Sequence, residues 1–145
     1  MFRPVLAACL LAAVPAHADY ERREAQGSVS DAMDRLTAAA EEAGATIFAR
    51  IDHAGGATGA GMELRPSELL IFGNPMLGTM AMQEDPLAGL VLPMKMLAYE
   101  DAEGKVWIAY EEVEEMFDDL DVDDDLDVLD KMEDALENLS RAAAG

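Results

Sequence analysis

Cysteine and histidine are nearly absent from this sequence. The single cysteine is Cys9, and the two histidines are His17 and His53. Cys9 and His17 lie in an N-terminal stretch with the features of a cleaved signal peptide. Without that stretch the chain has no cysteine, so disulfides and thiol chemistry are excluded and packing has to stabilise the fold. A lone histidine also provides no Ser–His–Asp arrangement of the kind that a hydrolytic triad requires.

Basic residues are scarce. Ten lysines and arginines stand against thirty acidic residues, which gives a net charge of −20 at pH 7. Because the phosphates of a nucleic acid would be repelled, the sequence predicts no nucleic-acid partner. Such a charge suits a cation, a basic partner or solubility alone. The acid is unevenly placed, since residues 111–137 hold fifteen Asp and Glu against one base, Lys131.

No apolar run is long enough to span a membrane. Residues 5–14 form a run of ten mainly apolar residues, whereas a spanning helix needs about 20. Arg3 precedes this run and the small-x-small sequence A-H-A follows it at 16–18, which is typical of a secretory signal peptide. The sequence therefore predicts a signal peptide at residues 1–18 and an exported protein, periplasmic or secreted. The alternatives are a buried N-terminal helix and lipid anchoring at Cys9.

The apolar run L-L-I-F at residues 69–72 is the strongest local indication of structure. It lies between Pro66 and the turn sequence G-N-P at 73–75. A short apolar run between turn residues favours a buried strand. We expect this strand at the centre of a β-sheet, with the amphipathic segments packed around it.

Hydrophobic periodicity predicts the other elements. Residues 46–53 alternate with Ile47, Ala49 and Ile51 on one face, which predicts a half-buried strand that His53 leaves on the apolar side. The glycine-rich residues that follow favour a flexible turn or frayed helical turn, with a backbone anion nest as the weaker alternative. The remaining predicted elements are an exposed edge strand at 19–26, a helix from Ser28 or Ser30 to Gly44, a short helix at 76–85, a hairpin of 92–100 with 105–110, and helical segments on either side of 121–125.

Four motifs together resemble one family. They are F-A-R-I-D-H from Phe48, E-L-R-P-S-E-L-L-I-F-G-N-P from Glu63, L-P-M-K from Leu92 and Y-E-D-A-E-G-K-V-W-I-A-Y from Tyr99. The sequence resembles the DUF302 family, a domain of unknown function, over about residues 28–110. The resemblance implies an α+β fold, a single β-α-β4-α domain similar in topology to half of the TATA-binding protein. In that fold a curved antiparallel sheet carries helices on one face. DNA binding does not follow from topology.

The resemblance also divides the chain. Residues 19–110 are the DUF302-like domain, and residues 111–145 are an acidic helical segment that completes it. After Tyr110 the family usually has a short Asp-Pro turn, which the acidic segment replaces here. Roles carried by the family's usual C-terminal part are therefore not transferred to this chain.

His53, Asn74 and Lys95 are the candidate binding residues. All three lie in the matching motifs, although the sequence does not show whether they approach one another. His53 is either a hydrogen-bonded structural group or a site residue that acts as a ligand or general base. An enzyme that uses His53 as its base is accordingly the third-ranked function.

Methionines suggest one route to metal handling. Six of them lie within thirty-five residues, and their thioethers together with His53 could hold Cu+. The other interpretation is that methionine fills an irregular core. The six are Met62, Met76, Met80, Met82, Met94 and Met96.

The acidic segment suggests a second route. Residues 119–130 resemble an EF-hand calcium loop, but Asp124 replaces the glycine at position six and an aspartate replaces the glutamate at position twelve. A solvated acidic face is the other interpretation. The candidate Ca2+ ligands are the carboxylates of Asp119, Asp121, Asp123, Asp125, Asp127 and Asp130.

Taken together, these features favour an exported, non-catalytic accessory domain that requires no cofactor. It would bind a small ligand or a protein partner through the sheet face or the end that carries His53. The motivation is a resembling domain, an export signal, and the lack of an assembled nucleophile or metal set. Metal handling is the alternative function, and the oligomeric state is not predicted.

Overall fold

A computed structural model describes residues 20–145 of the chain. The predicted signal peptide, its cleavage site and Cys9 lie outside these residues. The elements in chain order are β1 (Tyr20–Ala25), α1 (Val29–Glu42), β2 (Thr46–Asp52), α2 (His53–Gly59), β3 (Ser67–Gly73), α3 (Pro75–Glu84), α4 (Ala88–Val91), β4 (Met94–Glu100), β5 (Val106–Glu111), α5 (Val113–Phe117) and α6 (Asp127–Ala144).

The five strands form a single antiparallel sheet in the order β1-β5-β4-β3-β2. Helix α1 packs on β2, β3 and β4, helix α6 packs on β1 and β5, and the two helices contact each other. This arrangement confirms the predicted α+β fold with its β-α-β4-α order. Four further, shorter helices lie between these main elements, namely α2, α3, α4 and α5. The predicted edge strand at the start of the domain is also confirmed, as β1.

The strand at residues 69–72 is not the centre of the sheet. It forms part of β3, which lies between β2 and β4, so the central position belongs to β4. Leu70 and Phe72 are fully buried beneath the helices, whereas Leu69 and Ile71 are only half-buried on the opposite face. The prediction of a strand buried on both faces is therefore wrong, because the helices cover one face and successive side chains alternate between the two.

A β-bulge changes the predicted face of β2. The register shifts between Ile47 and Ala49, so Ile47 lies opposite Phe72 on the helix-covered face while Ile51 lies opposite Leu69 on the other. The prediction that Ile47, Ala49 and Ile51 share one face is therefore wrong. An extra residue in one strand of a pair reverses the alternation beyond it, which sequence periodicity alone does not reveal.

The same bulge turns Arg50 towards the helices. Its guanidinium donates hydrogen bonds to the carboxylates of Glu68 on β3 and Asp34 on α1. The bond to Glu68 contributes most to raising the pKa of Arg50 above its ordinary value. The Arg50 guanidinium therefore lies on the helix-covered side of the edge strand β2, where an apolar side chain would be exposed to solvent.

Helix α1 begins and ends as the sequence predicts. Ser28 caps it with a full capping box, in which the Asp31 N–H donates to the Ser28 hydroxyl and the Asp31 carboxylate accepts from the Ser28 N–H. Gly44 follows the helix with a φ of +81°, a conformation that suits glycine. The apolar stripe of α1 is buried, and its members are Val29, Ala32, Met33, Leu36 and Ala40.

The acidic C-terminal segment forms two helices, α5 and α6, joined by an irregular stretch at residues 118–126. The leucine-rich stripe of α6 is buried against α1 and the sheet. At its end, the side chain of Arg35 donates to the carbonyls of Ala143 (3.0 Å) and Gln26 (2.7 Å), and the Gln26 N–H donates to the Ala144 carbonyl (2.9 Å). The C-terminal helix is therefore an integral part of the core.

Within residues 20–145 no helix combines the length and the apolar character that crossing a membrane requires.

Candidate functional site

The structure separates the three candidate binding residues. The end of β2 pairs with the start of β3 (Asp52 with Glu68), and His53 follows there as an exposed first residue of α2. Asn74 follows the opposite end of β3, roughly 20 Å away by the rise of an extended strand. Lys95 lies between them, opposite Ile71 on the face away from the helices. The three side chains do not share one site.

His53 is also placed differently from the prediction that it leaves the strand on the apolar side. Asp52 is the N-cap of α2, and its carboxylate accepts the Gly55 N–H at 2.8 Å. The backbone therefore turns into a helix at His53, and the imidazole is exposed. The glycine-rich stretch forms a short helix, in agreement with the helical turn that was one of the predicted alternatives.

Asn74 has a structural role in the fold. Its side-chain oxygen accepts the Met76 N–H at 2.9 Å and so caps α3, with Pro75 as the first helical residue. Gly73 and Pro75 extend this turn on either side. The turn borders an apolar cleft, which places Asn74 at the edge of a cavity.

The six candidate calcium ligands do not converge. Asp119, Asp121, Asp123 and Asp125 lie on the irregular stretch, whereas Asp127 and Asp130 already belong to the first turn of α6. In residues 20–145, no group of three or more His, Cys, Asp or Glu is placed to hold a metal ion. Calcium binding stays a prediction, and the carboxylates stand as separate exposed groups.

The irregular stretch is held by hydrogen bonds from backbone N–H groups to aspartate carboxylates. The Asp121 N–H donates to the Asp85 carboxylate (3.0 Å), and the Asp125 N–H donates to the Asp123 carboxylate (3.0 Å). The first of these bonds, with a second from the Leu87 N–H, lowers the pKa of Asp85 below its usual value. The stretch is therefore attached to the loop that follows α3.

The methionines fall into two groups. Met94 and Met96 share the helix-covered face of β4 and are buried, in agreement with core filling. Met62, Met76, Met80 and Met82 are exposed, so core filling is wrong for these four. Met76, Met80 and Met82 belong to α3, at the end of β3 opposite His53, so the structure does not bring these three thioethers to the imidazole. Met62 follows α2, where its N–H donates to the Ala57 carbonyl.

The sheet face away from α1 and α6, called the open face here, carries a continuous apolar row. Ile51, Leu69, Leu97 and Ala109 are opposite one another on β2, β3, β4 and β5. The row is half-buried except for Ile51, which is 38% exposed. The other side chains of the open face are Tyr20, Arg22, Glu24, Ala49, Ser67, Ile71, Lys95, Tyr99, Trp107 and Glu111.

Trp107 is fixed in position on the open face. Its indole N–H donates to the Asp101 carboxylate at 2.7 Å, and the carbon of the Arg22 guanidinium lies 5.8 Å from the ring centroid. The indole bond is the main cause that lowers the pKa of Asp101. Beside this aromatic residue, Tyr99 lies directly opposite on β4. Pre-ordered aromatic side chains of this kind are typical of protein interfaces.

A shallow depression of about 310 Å³ lies further along the open face. Its lining includes Leu69 and Leu97 from the apolar row, with Tyr20, Lys95 and Glu111 around them. Of the three candidate binding residues, Lys95 is therefore the one that borders this depression. One apolar side chain of a partner fits a hollow of this size, with a lysine and a glutamate available at its margin.

An apolar cleft of about 370 Å³ lies at the C-terminal end of β3, between the start of β2 and the short helices. Phe48 forms one wall, Leu77 and Met82 of α3 form another, and Met94 and Met132 belong to its lining from the core. The sequence does not predict this cleft. The available signal was the cluster of Met76, Met80 and Met82 after the turn at 73–75, but composition does not distinguish an exposed methionine from a buried one.

Comparisons with known proteins agree on the fold. The crystal structure of an uncharacterised conserved DUF302 protein from Bacillus stearothermophilus superposes with a TM-score of 0.77 and covers 86% of this chain and 97% of its own. The sequence identity is 17%, so this likeness shows the fold alone.

Curated relatives come from Brucella. A stretch of 85 residues is 47% identical to the fluoride-specific ion channel FluC 1 of Brucella suis and covers 59% of this chain and 34% of that protein. The same identity over 85 residues relates the chain to FluC 1 of Brucella abortus and FluC 2 of Brucella melitensis, with 32% of each covered. The chain thus spans about a third of the length of these relatives.

The family model reaches further than the motifs alone. The model described as domain of unknown function DUF302 matches residues 21–143, which covers β1 except Tyr20 and the acidic segment except its last two residues. Because α6 packs on α1 and on the sheet, the segment is part of the same domain. Its family match and its fold agree, and the chain belongs to the DUF302 family.

Proposed function

We propose that this protein is an exported, non-catalytic accessory domain that binds a protein partner on its open face. The carrying observation is the apolar row of Ile51, Leu69, Leu97 and Ala109, which crosses four strands on the side away from α1 and α6. A contiguous apolar row on a sheet face that neither α1 nor α6 covers suits an interaction site.

Three features of the open face support a protein partner. Trp107 and Tyr99 supply large apolar area with restricted side-chain freedom, the property that makes aromatic residues dominate binding energy. The depression bordered by Lys95 offers a pocket for one inserted side chain. The side-chain charges of this face are mixed, since Arg22 and Lys95 accompany Glu24 and Glu111. The face itself therefore does not select the sign of a partner's charge, whereas the net charge of −20 opposes a strongly acidic partner.

The test is cross-linking from defined positions. A photo-reactive amino acid at position 51 or position 20, both exposed on the open face, should give a discrete adduct in cells. The matched control is position 38, exposed on α1 at the opposite side of the molecule. Adducts that form as well from position 38, or that survive Leu97→Lys in a folded protein, would contradict the proposal.

A second candidate rests on the Brucella relatives, whose printed name is fluoride-specific ion channel. We infer that a domain of this type assists a membrane channel. The channel part of the Brucella suis relative, without the stretch that matches this chain, should then bind the isolated domain in nanodiscs. Leu97→Lys should abolish that binding and Ala38→Lys should not. Binding that neither variant changes would place the contact elsewhere.

Metal handling and enzymatic use of His53 remain lower-ranked predictions. The separation of the six aspartates, and the position of Met76, Met80 and Met82 at the end of β3 opposite His53, give neither metal route geometric support among residues 20–145. His53 stands without a neighbouring candidate nucleophile identified by the sequence. Calcium titration and His53→Gln test these two alternatives directly.

A further inference from the structure

We propose that the apolar cleft beside Phe48 binds a small, neutral, hydrocarbon-like molecule. No residue of the open face lines this cleft, so the proposal is independent of the partner-binding function. Phe48, Leu77, Met82 and Leu92 supply apolar walls, and the cleft is half-open to solvent.

The chemistry of the lining determines the ligand class. No charged side chain lines the cleft, and its polar side chains are those of Asn74 and Thr79. The Asn74 oxygen accepts the Met76 N–H, and the Thr79 hydroxyl donates to the Pro75 carbonyl at 2.6 Å. The Asn74 side-chain NH2 and the Thr79 oxygen are the side-chain groups that a ligand can still hydrogen-bond. The lining therefore offers mainly apolar contacts, a hydrogen bond for a neutral polar group and no partner for a charged one.

Exposed apolar side chains concentrate at this place. Ten large hydrophobic residues among the described residues are exposed, and six of them are Phe48 or members of the α3–α4 region. The other five are Met76, Met80, Met82, Leu87 and Leu90. Of these six residues, Phe48 and Met82 line the cleft, and the other four lie on the helical region beside it. A concave apolar surface is typical of a ligand site, and methionine adapts its shape to flexible apolar ligands.

Size and charge limit the ligand further. An engineered cavity of about 150 Å³ holds benzene, and the cleft, at about 370 Å³, has more than twice that volume. A medium-length alkyl chain is therefore a suitable occupant. A net charge of −20 repels a carboxylate or sulfate head group, which favours a neutral molecule over an anionic one.

The experiment measures binding of a series of straight-chain alcohols, from hexanol to dodecanol, by calorimetry. Each methylene that enters the cleft should tighten binding about fourfold, the equivalent of ~0.8 kcal/mol, until the cleft is filled. Beyond that length the affinity should stop rising. Decanoate, which has the same chain length as decanol and an anionic head, should bind at least about tenfold more weakly than decanol.

Variants of the lining locate the site. Phe48→Ala should weaken decanol binding at least about tenfold, because the wall that the Phe48 ring forms is lost. Folding should stay intact, because the Phe48 side chain is exposed. Gly78→Ala adds a methyl group 3.6 Å from Leu92 Cδ1, an ordinary contact, and should move the plateau to a chain shorter by about one carbon. Leu90→Ala is the control, since Leu90 is 79% exposed on the neighbouring helix and does not line the cleft.

The remaining outcomes overturn the proposal. No saturable binding of any alcohol, or binding that Phe48→Ala leaves unchanged in a folded protein, would remove the site. Equal affinity for decanoate and decanol would refute the assignment of a neutral ligand. Flotation with neutral phosphatidylcholine vesicles, without alcohol binding, would show that the apolar patch docks on a membrane surface instead. None of these results changes the cross-linking expected from the open face.

Discussion

Strand β3 places neighbouring apolar side chains in two environments, and single alanine substitutions should separate them. Leu70 and Phe72 are both 0% exposed on the face that α1 covers. Leu69 and Ile71 lie on the open face, where neighbouring strands bury them only in part. All four residues belong to the same strand, so differences in strand propensity contribute little to the comparison.

The expected magnitudes differ because only one face leaves a cavity. Phe72→Ala should lower the free energy of unfolding by about 3–5 kcal/mol and Leu70→Ala by about 2–5 kcal/mol, since each empties a closed space in the core. Leu69→Ala and Ile71→Ala lose only part of their transfer free energy, and water fills the space. Each of these two should cost about 1 kcal/mol.

Urea denaturation followed by circular dichroism measures the free energy of unfolding of the four variants. An unchanged dependence of that free energy on urea concentration shows that the unfolded state is not altered. A cost at Leu69 or Ile71 equal to that at Leu70 would show that the open face is covered in solution. Another copy or the N-terminal residues would then occupy it, and the partner-binding proposal would lose its surface.

Four further predictions concern acid, calcium, export and the imidazole. The pKa of Asp101 is lowered by the indole N–H and backbone N–H groups, so its contribution to stability is present above the unfolded-state pKa of about 4 and is lost as the pH falls through the folded-state value. The melting temperature should therefore decrease as the pH drops below about 4, and this decrease should be smaller in Asp101→Asn. Calcium and sodium chloride at equal ionic strength should raise the melting temperature alike; saturable stabilisation by calcium that disappears in Asp119→Ala with Asp130→Ala would show a site. Mass spectrometry of the exported fraction should find a chain that begins at Asp19, and a mature chain that retains Met1 or begins with lipidated Cys9 would contradict the predicted signal peptide. His53→Gln should leave folding unchanged, and loss of a substrate turnover in that variant would favour the enzyme.

Local sequence rules predicted most of the secondary structure. The second hairpin strand, predicted at 105–110, is observed as β5, with Val106, Ile108 and Tyr110 buried and Trp107 on the other face. Ser28, one of the two predicted helix starts, is the N-cap of α1, and its capping partner Asp31 is three residues away. Features that depend on neighbours in sequence are thus recoverable from sequence.

The candidate site was harder to predict because it depends on geometry between elements. The bulge in β2 redirects every later side chain of that strand, and Phe48 at the shift became a wall of the cleft. Motif membership grouped His53 with Asn74, although β3 separates them by its full length. Motif residues can be shared for structural reasons, as the capping role of Asn74 illustrates.

The placement of charge bears on what can bind the open face. Acidic residues from Glu111 onward are mostly exposed on α5, α6 and the stretch between them, while Arg22 and Lys95 on the open face are matched by Glu24 and Glu111. A second copy of the chain would bring another strongly negative molecule close, and the long-range repulsion opposes association. A partner without a strong negative charge is not repelled in this way, and the apolar row can contact it at short range. This favours a heterologous partner over self-association. The affinity should rise at lower salt concentration only if that partner is basic.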